Sequence, residues 1–308
     1  MDSRESLKTV LDDILEYSPK INASGEWILN ELDVECICIG AGILGCGGGG
    51  NPRIGKHRAL EALKYGKLIR VISPERCARS MSETSLVIPV AFMGDPSVLK
   101  EKLNNSGSET CDAISALLDI YCHGARCHKT DIQSNRTGVR YIDDYKPNGL
   151  TELKPGSTGD IVALMAVEIG GVNSTEPLIS GAELNIPVVD CDGMGRAFPE
   201  LQMYTPTIYG LPCYPATLAD DKGQRAVIIE ATSPKHVEDH LRGVCVTMGS
   251  LAGFANTPLR KEDVLHKTVQ HSTSRAWRLG HAVLKARAQK KDAFQAILDC
   301  ENGKCLSK

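Results

Sequence analysis

The segment from Asp190 to Glu200 carries the densest group of side chains that could do chemistry. Within eleven residues it holds three carboxylates, Asp190, Asp192 and Glu200, together with Arg196 and two glycines. Carboxylates placed close together raise one another's pKa, which prepares one of them to act as a general acid or base. Arg196 could hold a substrate carboxylate or stabilise a developing negative charge. An Asp–Arg pair that only fixes a tight loop is the structural alternative, and the position of Asp190 at the end of a predicted strand favours the functional one.

A second candidate is the segment EIGGVNS at 168–174, which follows an apolar stretch read as a buried strand. In open α/β sheets ligands bind at the carboxyl ends of strands, where Glu168 would lie. We favour a functional role for Glu168, because an unpaired buried carboxylate is costly. Asn173 is a candidate substrate-binding residue, although capping of the next helix is the slightly favoured alternative.

The third candidate is a glycine run, LGCGGGGNP at 44–52. It is either a flexible turn or a backbone nest whose N–H groups bind an anionic or carbonyl-bearing ligand. It matches neither the dinucleotide fingerprint nor the phosphate loop. The candidate substrate-binding glycines are Gly47, Gly48, Gly49 and Gly50.

Metal binding is a weaker option. The cluster Cys122, His123, Cys127 and His128 offers soft zinc ligands, but it contains no C-x₂-C pair, so accidental spacing is the better interpretation. The carboxylates near Asp190 could bind a divalent cation such as Mg²⁺, without a spacing specific for it. The sequence therefore requires no cofactor and leaves a divalent metal open.

The elements around these candidates alternate between strands and helices, which favours an α/β fold. We expect a mixed or mostly parallel sheet flanked by helices. Residues 1–30 are predicted as a helical lead-in, 31–300 as the α/β domain, 123–157 as a polar insertion and 301–308 as a tail. Strands are predicted at 68–72, 85–93, 160–171, 187–190, 226–230 and 244–251, and helices at 32–44, 55–65, 96–103, 109–122, 174–184 and 234–242. From 260 onward the pattern is helical, with a break near His271.

Composition excludes several classes of protein. Hydrophobic residues make up 42% and charged residues 24% of 308, which is the balance of a globular protein. A net charge of −3 gives no general attraction to nucleic acid or to an anionic membrane. The charged N-terminus lacks a signal-peptide core, and many of the twelve cysteines sit in apolar runs, which together favour a cytoplasmic protein with reduced thiols.

Several of these motifs, in this order, resemble the N-terminal domain of the S-methyl-thiohydantoin desulfurase family, which is associated with hydantoinase and oxoprolinase proteins. The motifs are LGCGGGGNP, IPVAFMGDPSVLKEKL, EIGGVNS and VVDCDGMGRAFPELQM. The likeness covers roughly residues 30–290 outside the insertion, and several ordered motifs are more specific than one. The resemblance implies an α/β domain followed by a smaller β-rich domain, and chemistry on a five-membered cyclic thiourea derivative.

The resemblance implies a ring that bears a methylthio group, and for that substrate we infer a hydrolytic mechanism with roles assigned from the residues. Asp190, Asp192 or Glu168 activates water, with Glu200 as a further catalytic candidate. Arg196 and N–H groups of the glycine run stabilise the developing charge, and methanethiol leaves a hydantoin behind.

Two alternatives remain at this stage. The chain could be a non-catalytic partner subunit of a hydantoinase or oxoprolinase, or a truncated, inactive homologue. Truncation is expected because the chain ends near residue 308, about where the β-rich domain would begin. The expected partners are a small heterocyclic substrate, such a subunit and a second copy of the chain, but neither nucleic acid nor a membrane.

Overall fold

The computed structural model describes residues 14–102, 108–123, 139–141 and 161–306. Its strands are β1 (Glu26–Ile28), β2 (Arg70–Ile72), β3 (Leu86–Gly94), β4 (Val139–Tyr141), β5 (Ile161–Ala166), β6 (Val188–Asp192), β7 (Ala216–Ala219), β8 (Arg225–Ile228), β9 (Leu251–Ala255) and β10 (Val269–Gln270). Its longer helices are α1 (Glu31–Gly45), α2 (Pro52–Lys64), α3 (Pro74–Ser80), α4 (Pro96–Lys102), α5 (Glu109–His123), α6 (Glu176–Glu183), α7 (Thr205–Ile208), α8 (Pro234–Thr247), α9 (Lys261–His266), α10 (Ser272–Ala288) and α11 (Ala293–Cys300).

One mixed sheet organises the described residues. Its strand order is β1-β2-β6-β5-β3-β9-β7-β8-β4, and β10 pairs with β6 at the side of this path. The central strands β2, β6, β5 and β3 run parallel, whereas β9, β7, β8 and β4 continue the sheet with antiparallel pairing. The prediction of an α/β fold with a mixed sheet is confirmed.

The sheet is buried on both faces. Along β3, Val87 and Ala91 belong to one apolar cluster, whereas Ile88 and Val90 belong to the other. This alternation has the period of two expected of a strand, and each face contributes to its own core. Strands covered on both sides read as continuous apolar runs, which is why the sequence predicted β3 and β5.

Helix α1 is buried, as its apolar residues on both faces predicted. It begins with a capping box in which Asn30 and Asp33 exchange side-chain and backbone hydrogen bonds. It lies close against α10: a Cβ added to Gly40 would be 1.8 Å from the carbonyl oxygen of Ala276. The small side chains of α1 therefore serve close helix packing.

The strand predicted at 244–251 is wrong. Helix α8 continues through Thr247, and the strand of this region is β9. The buried residues of the segment recur at helical spacing and are Val237, Leu241, Val244, Cys245 and Met248. A short run of β-branched residues cannot by itself distinguish a buried helix from a strand. The sequence reading also omitted β7.

Both ends of the chain differ from a simple helical pattern. The predicted helical lead-in at 1–30 is wrong at its end, because Glu26–Ile28 forms strand β1 and pairs with β2. Residues 1–13 lie outside the described part. The predicted break near His271 is confirmed, since this residue has a left-handed φ of 59° between β10 and α10.

The predicted polar insertion at 123–157 lies mostly outside the described residues. Within it, β4 pairs antiparallel with β8 at the edge of the sheet.

Candidate active-site cleft

A cleft of about 280 Å³ lies where β3 and β5 end. Three loops and two further elements complete its wall: the glycine run, the residues after β5, the segment after β6, helix α8 and strand β9. Clefts at the carboxyl ends of parallel strands are the usual ligand sites of α/β sheets. All three segments singled out from the sequence thus contribute residues to the wall of one cleft.

Glu168 is the buried carboxylate of this cleft. It lies just beyond the end of β5, after Val167, and is only 7% exposed. Its Oε1 accepts a hydrogen bond from Asn173 Nδ2 at 2.8 Å, and its Oε2 accepts one from the backbone N–H of Phe198 at 3.1 Å. The carboxylate is therefore held in one orientation by two donors.

The surroundings of Glu168 raise its pKa to about 7, chiefly because burial disfavours the charged form. The negative charge of Asp192 raises this pKa further, whereas the bonds from Asn173 and Phe198 and the charge of Arg242 lower it. A carboxylate with a pKa near neutrality can both accept and return a proton, as a general base and acid must.

Asn173 positions Glu168 and does not cap a helix. Its Oδ1 accepts from the backbone N–H of Phe92 at 2.8 Å, and its Nδ2 also donates to the Phe92 carbonyl at 3.2 Å. Neither the short 3₁₀ helix Gly171–Ser174 nor α6 has a side-chain cap. The capping alternative is therefore wrong, and the amide ties Glu168 to the end of β3.

The glycine run packs against the loop after β5. A Cβ added to Gly49 would lie 2.1 Å from the carbonyl oxygen of Gly170, so only glycine allows this approach. Gly48, Gly49 and Gly50 line the cleft, whereas Gly47 does not. In the described ranges the N–H groups of Gly49 and Gly50 donate to no protein acceptor, which leaves them available to a ligand.

Asp192 lies behind the cleft wall and organises the loop. Its Oδ2 accepts from the backbone N–H groups of Ile169, Met194 and Gly195 at 2.7–3.0 Å. Burial raises the pKa of Asp192 to about 6, although these bonds lower it. The residue does not line the cleft. It shapes the loops around Glu168 from the interior.

Asp190 points to another part of the molecule. Its Oδ1 accepts from the backbone N–H of Ser274 at 3.0 Å in the first turn of α10, and its Oδ2 lies 3.5 Å from Nδ1 of His271. The residue is absent from the cleft wall. Its observed role is to cap α10.

The structure separates Arg196 from Glu200. Arg196 is exposed, donates to Sγ of Cys46 at 2.8 Å and lies over the ring of Phe198, but it is not on the cleft wall. Glu200 is on that wall and accepts a hydrogen bond from Gln202. The two side chains therefore do not form one charged pair at the site.

Sequence reasoning missed two charged residues of the cleft, Glu238 and Arg242 of α8. Glu238 is 2% exposed and pairs with Arg242 at 2.5 Å. The Glu-x₃-Arg spacing on a predicted helix was the available signal, since residues four apart share a helix face. Nothing in the sequence showed that this face lines the same cleft as Glu168.

No preformed metal centre is found in ranges 14–102, 108–123, 139–141 and 161–306, because no three His, Cys, Asp or Glu side chains converge there. In the Cys/His cluster weighed as a minor zinc option, Cys127 and His128 lie outside the described residues, as do the side chains of Cys122 and His123. None of the described helices is both long and apolar enough to cross a membrane.

Comparison with solved structures supports the fold. A crystal structure of a protein from Chromobacterium violaceum matches with a TM-score of 0.65 and 22% identity over 89% of this chain. The chain spans 65% of the length of that protein. Comparison with curated proteins found no match.

Family models cover nearly all of the chain beyond the lead-in. The model of the S-Me-THD-like N-terminal domain matches residues 32–131 and 147–231, and that of the S-Me-THD-like C-terminal domain matches residues 232–308. The predicted absence of the C-terminal domain is therefore wrong. Its matched region begins far earlier than expected and is mainly helical, and its strand β9 lies inside the main sheet. The chain belongs to the S-Me-THD-like family.

Proposed function

We propose that this chain is a hydrolase that acts on a small five-membered heterocycle, of the S-methyl-thiohydantoin or hydantoin type, with Glu168 as the carboxylate that activates water. The observation that carries the proposal is the buried, doubly hydrogen-bonded Glu168 in the cleft, with a pKa of about 7. Membership of the S-Me-THD-like family supports the choice of ring.

The proposed reaction takes one proton from water and returns it to the leaving group. Glu168 in its ionised form accepts a proton from water, whose oxygen forms a bond to the ring carbon that bears the methylthio group. The electrons of the C=N bond move to the ring nitrogen. When they return, the C–S bond breaks, and protonated Glu168 gives its proton to methanethiolate. The ring carbon then carries the hydroxyl that came from water, and transfer of the hydroxyl proton to the ring nitrogen gives the hydantoin. Methanethiol and a hydantoin are the products.

The cleft contains groups that suit the negative charge formed in this reaction. Gly49 and Gly50 lie on its wall, and because their N–H groups donate to no acceptor among the described residues, they can donate to a ring nitrogen or oxygen that gains charge. We assign this role to the glycine run in preference to Arg196, because Arg196 lies off the cleft wall. The apolar wall of the cleft includes Leu99 and Phe254, which can cover the face of a small ring.

The test is release of methanethiol from an S-methyl-thiohydantoin by the purified chain, with mass detection of the hydantoin. Glu168→Gln should lower turnover by about 10²- to 10⁴-fold, the usual contribution of general base catalysis. Asp192→Asn keeps an acceptor for the loop and should retain most activity. The exposed Glu183→Gln is the matched control and should behave like the unmodified chain.

Full turnover by a folded Glu168→Gln variant would overturn the assignment of Glu168. If the unmodified chain releases no methanethiol alone but does so with an added hydantoinase or oxoprolinase subunit, the proposal of a partner subunit replaces that of a self-sufficient enzyme.

A further inference from the structure

Helix α8 contacts the backbone of the segment Phe198–Leu201, which forms part of the cleft wall. Oε2 of Glu238 accepts from the N–H of Leu201 at 3.1 Å, and Nη2 of Arg242 donates to the carbonyl of Pro199 at 2.7 Å. The two side chains also bond to each other, from Arg242 Nε to Glu238 Oε1 at 2.5 Å. A buried carboxylate satisfied in this way holds its partners firmly.

The same segment, Phe198–Leu201, also binds the proposed catalytic carboxylate. Phe198 is the residue whose N–H donates to Oε2 of Glu168. Three backbone groups within four residues are thus bound, one by Glu168 and two by α8. A displacement of the segment from α8 would alter the hydrogen bond to Glu168, because peptide units this close cannot move independently.

We propose that Glu238 and Arg242 are positioning residues that hold Phe198–Leu201 in place, so that the N–H of Phe198 is directed at Glu168 and the Arg242 charge stays near that carboxylate. This inference rests on the proposed function of Glu168. It assigns to the region matched by the C-terminal family model a direct part in the cleft, although the other candidate groups come from the region before it.

The charges that face Glu168 make the inference testable. Glu200, Glu238 and Arg242 line the same cleft as Glu168, and Asp192 lies behind its wall; among the described lining residues Arg242 is the cation. Arg242 lowers the pKa of Glu168, against the effect of burial and of Asp192. Loss of the Arg242 charge should therefore favour the protonated form of Glu168.

The experiment compares Arg242→Gln, Arg242→Lys and Asp239→Asn in the full chain. Asp239 is the matched control, because it forms an exposed ion pair with Lys235 on the same helix. The pKa of Glu168 is measured by carbon NMR of labelled glutamates, with Glu168→Gln for assignment. Amide hydrogen exchange of the peptide that spans 196–203 reports how firmly the segment is held.

Arg242→Gln should raise the pKa of Glu168 by ~0.5 pH unit or more, as expected for loss of a nearby, partly solvated charge. It should also speed amide exchange in the 196–203 peptide. Arg242→Lys keeps the charge but cannot bind both Glu238 and the Pro199 carbonyl in the same way, so exchange should be faster with a nearly unchanged pKa. Asp239→Asn should change neither quantity.

An unchanged pKa of Glu168 in a folded Arg242→Gln variant would overturn the inference. If that variant does not fold, because Glu238 loses its partner, unchanged exchange in Arg242→Lys would overturn it instead. Both measurements are made without turnover. A failure of the proposed function would appear as full activity of Glu168→Gln, which is a different result.

Discussion

At the residue scale, one carboxylate of the four singled out from the sequence, Glu168, combines a place on the cleft wall with a raised pKa. Glu168 could be singled out from the sequence because it follows a buried strand, where an unpaired carboxylate is costly. Asp190 has the same sequence context but meets the start of α10, which lies 84 residues further along the chain. Contacts with segments distant in the sequence decide whether such a carboxylate lines a cleft or caps a helix. The local spacing of residues does not reveal those contacts.

The pKa of Glu168 has a consequence for stability. The carboxyl has an ordinary pKa of 4.5 in the unfolded chain, whereas the folded chain keeps its proton until about pH 7. This contribution to the free energy of unfolding is fully present below pH 4.5. It is lost as the pH rises to about 7, by ~3 kcal/mol at most.

The free energy of unfolding, measured with urea, should therefore fall between about pH 5 and about pH 8. This fall should be larger in the unmodified chain than in Glu168→Gln. Glutamine has no charge to lose, so its variant lacks this dependence. The raised pKa of Asp192 acts in the same direction and is present in both proteins, so the difference reports on Glu168. Equal pH dependences in the two proteins would contradict a raised pKa.

At the element scale, the strands were easier to predict than the face that α8 presents. Apolar runs gave β3 and β5 directly, because both faces of these strands are covered. The valines near the end of α8 suggested a strand at 244–251, although the helix predicted at 234–242 already carried Glu238 and Arg242. That predicted helix places the charged pair on one face, four residues apart, but the sequence does not show that this face borders the cleft that contains Glu168.

The glycine run offers a matched pair of substitutions. Gly47 and Gly49 both have positive φ, at 93° and 73°. A Cβ on Gly47 would meet nothing within 4 Å, whereas one on Gly49 would collide with the Gly170 carbonyl at 2.1 Å. Gly47→Ala should therefore cost only the backbone strain, about 1 kcal/mol.

Gly49→Ala should lose clearly more stability than Gly47→Ala, because the loops that hold Glu168 must move apart. It should also lose most of the methanethiol release, whereas Gly47→Ala should retain it. Denaturant midpoints and turnover of the two variants, measured side by side, check this expectation. Equal effects would show that the glycines serve only local flexibility.

At the scale of the whole molecule, the two regions matched by family models share one sheet. Strand β9, from the region of the C-terminal model, lies between β3 and β7 from the region of the N-terminal model. Helix α10 of the second region also lies against α1 of the first, through close contacts at Gly40. The fold predicted from the sequence, in which the family's β-rich C-terminal domain was missing from this chain, could not anticipate a strand of the C-terminal region in the middle of the main sheet.

Such an arrangement predicts one cooperative unfolding transition for the full chain, since neither region can keep its sheet neighbours without the other. The two tryptophans of the sequence provide a local probe. Trp27 of β1 and Trp277 of α10 are in edge-to-face contact with their ring centroids 6.2 Å apart. Their fluorescence and the far-ultraviolet circular dichroism of the sheet and helices should change at the same urea concentration.

Trp277→Phe, which removes one of these fluorophores and the hydrogen bond to Asp33, should lower this midpoint in circular dichroism without splitting the transition. Two separated transitions would instead mean that the regions matched by the two models unfold independently, in spite of the strand that joins them.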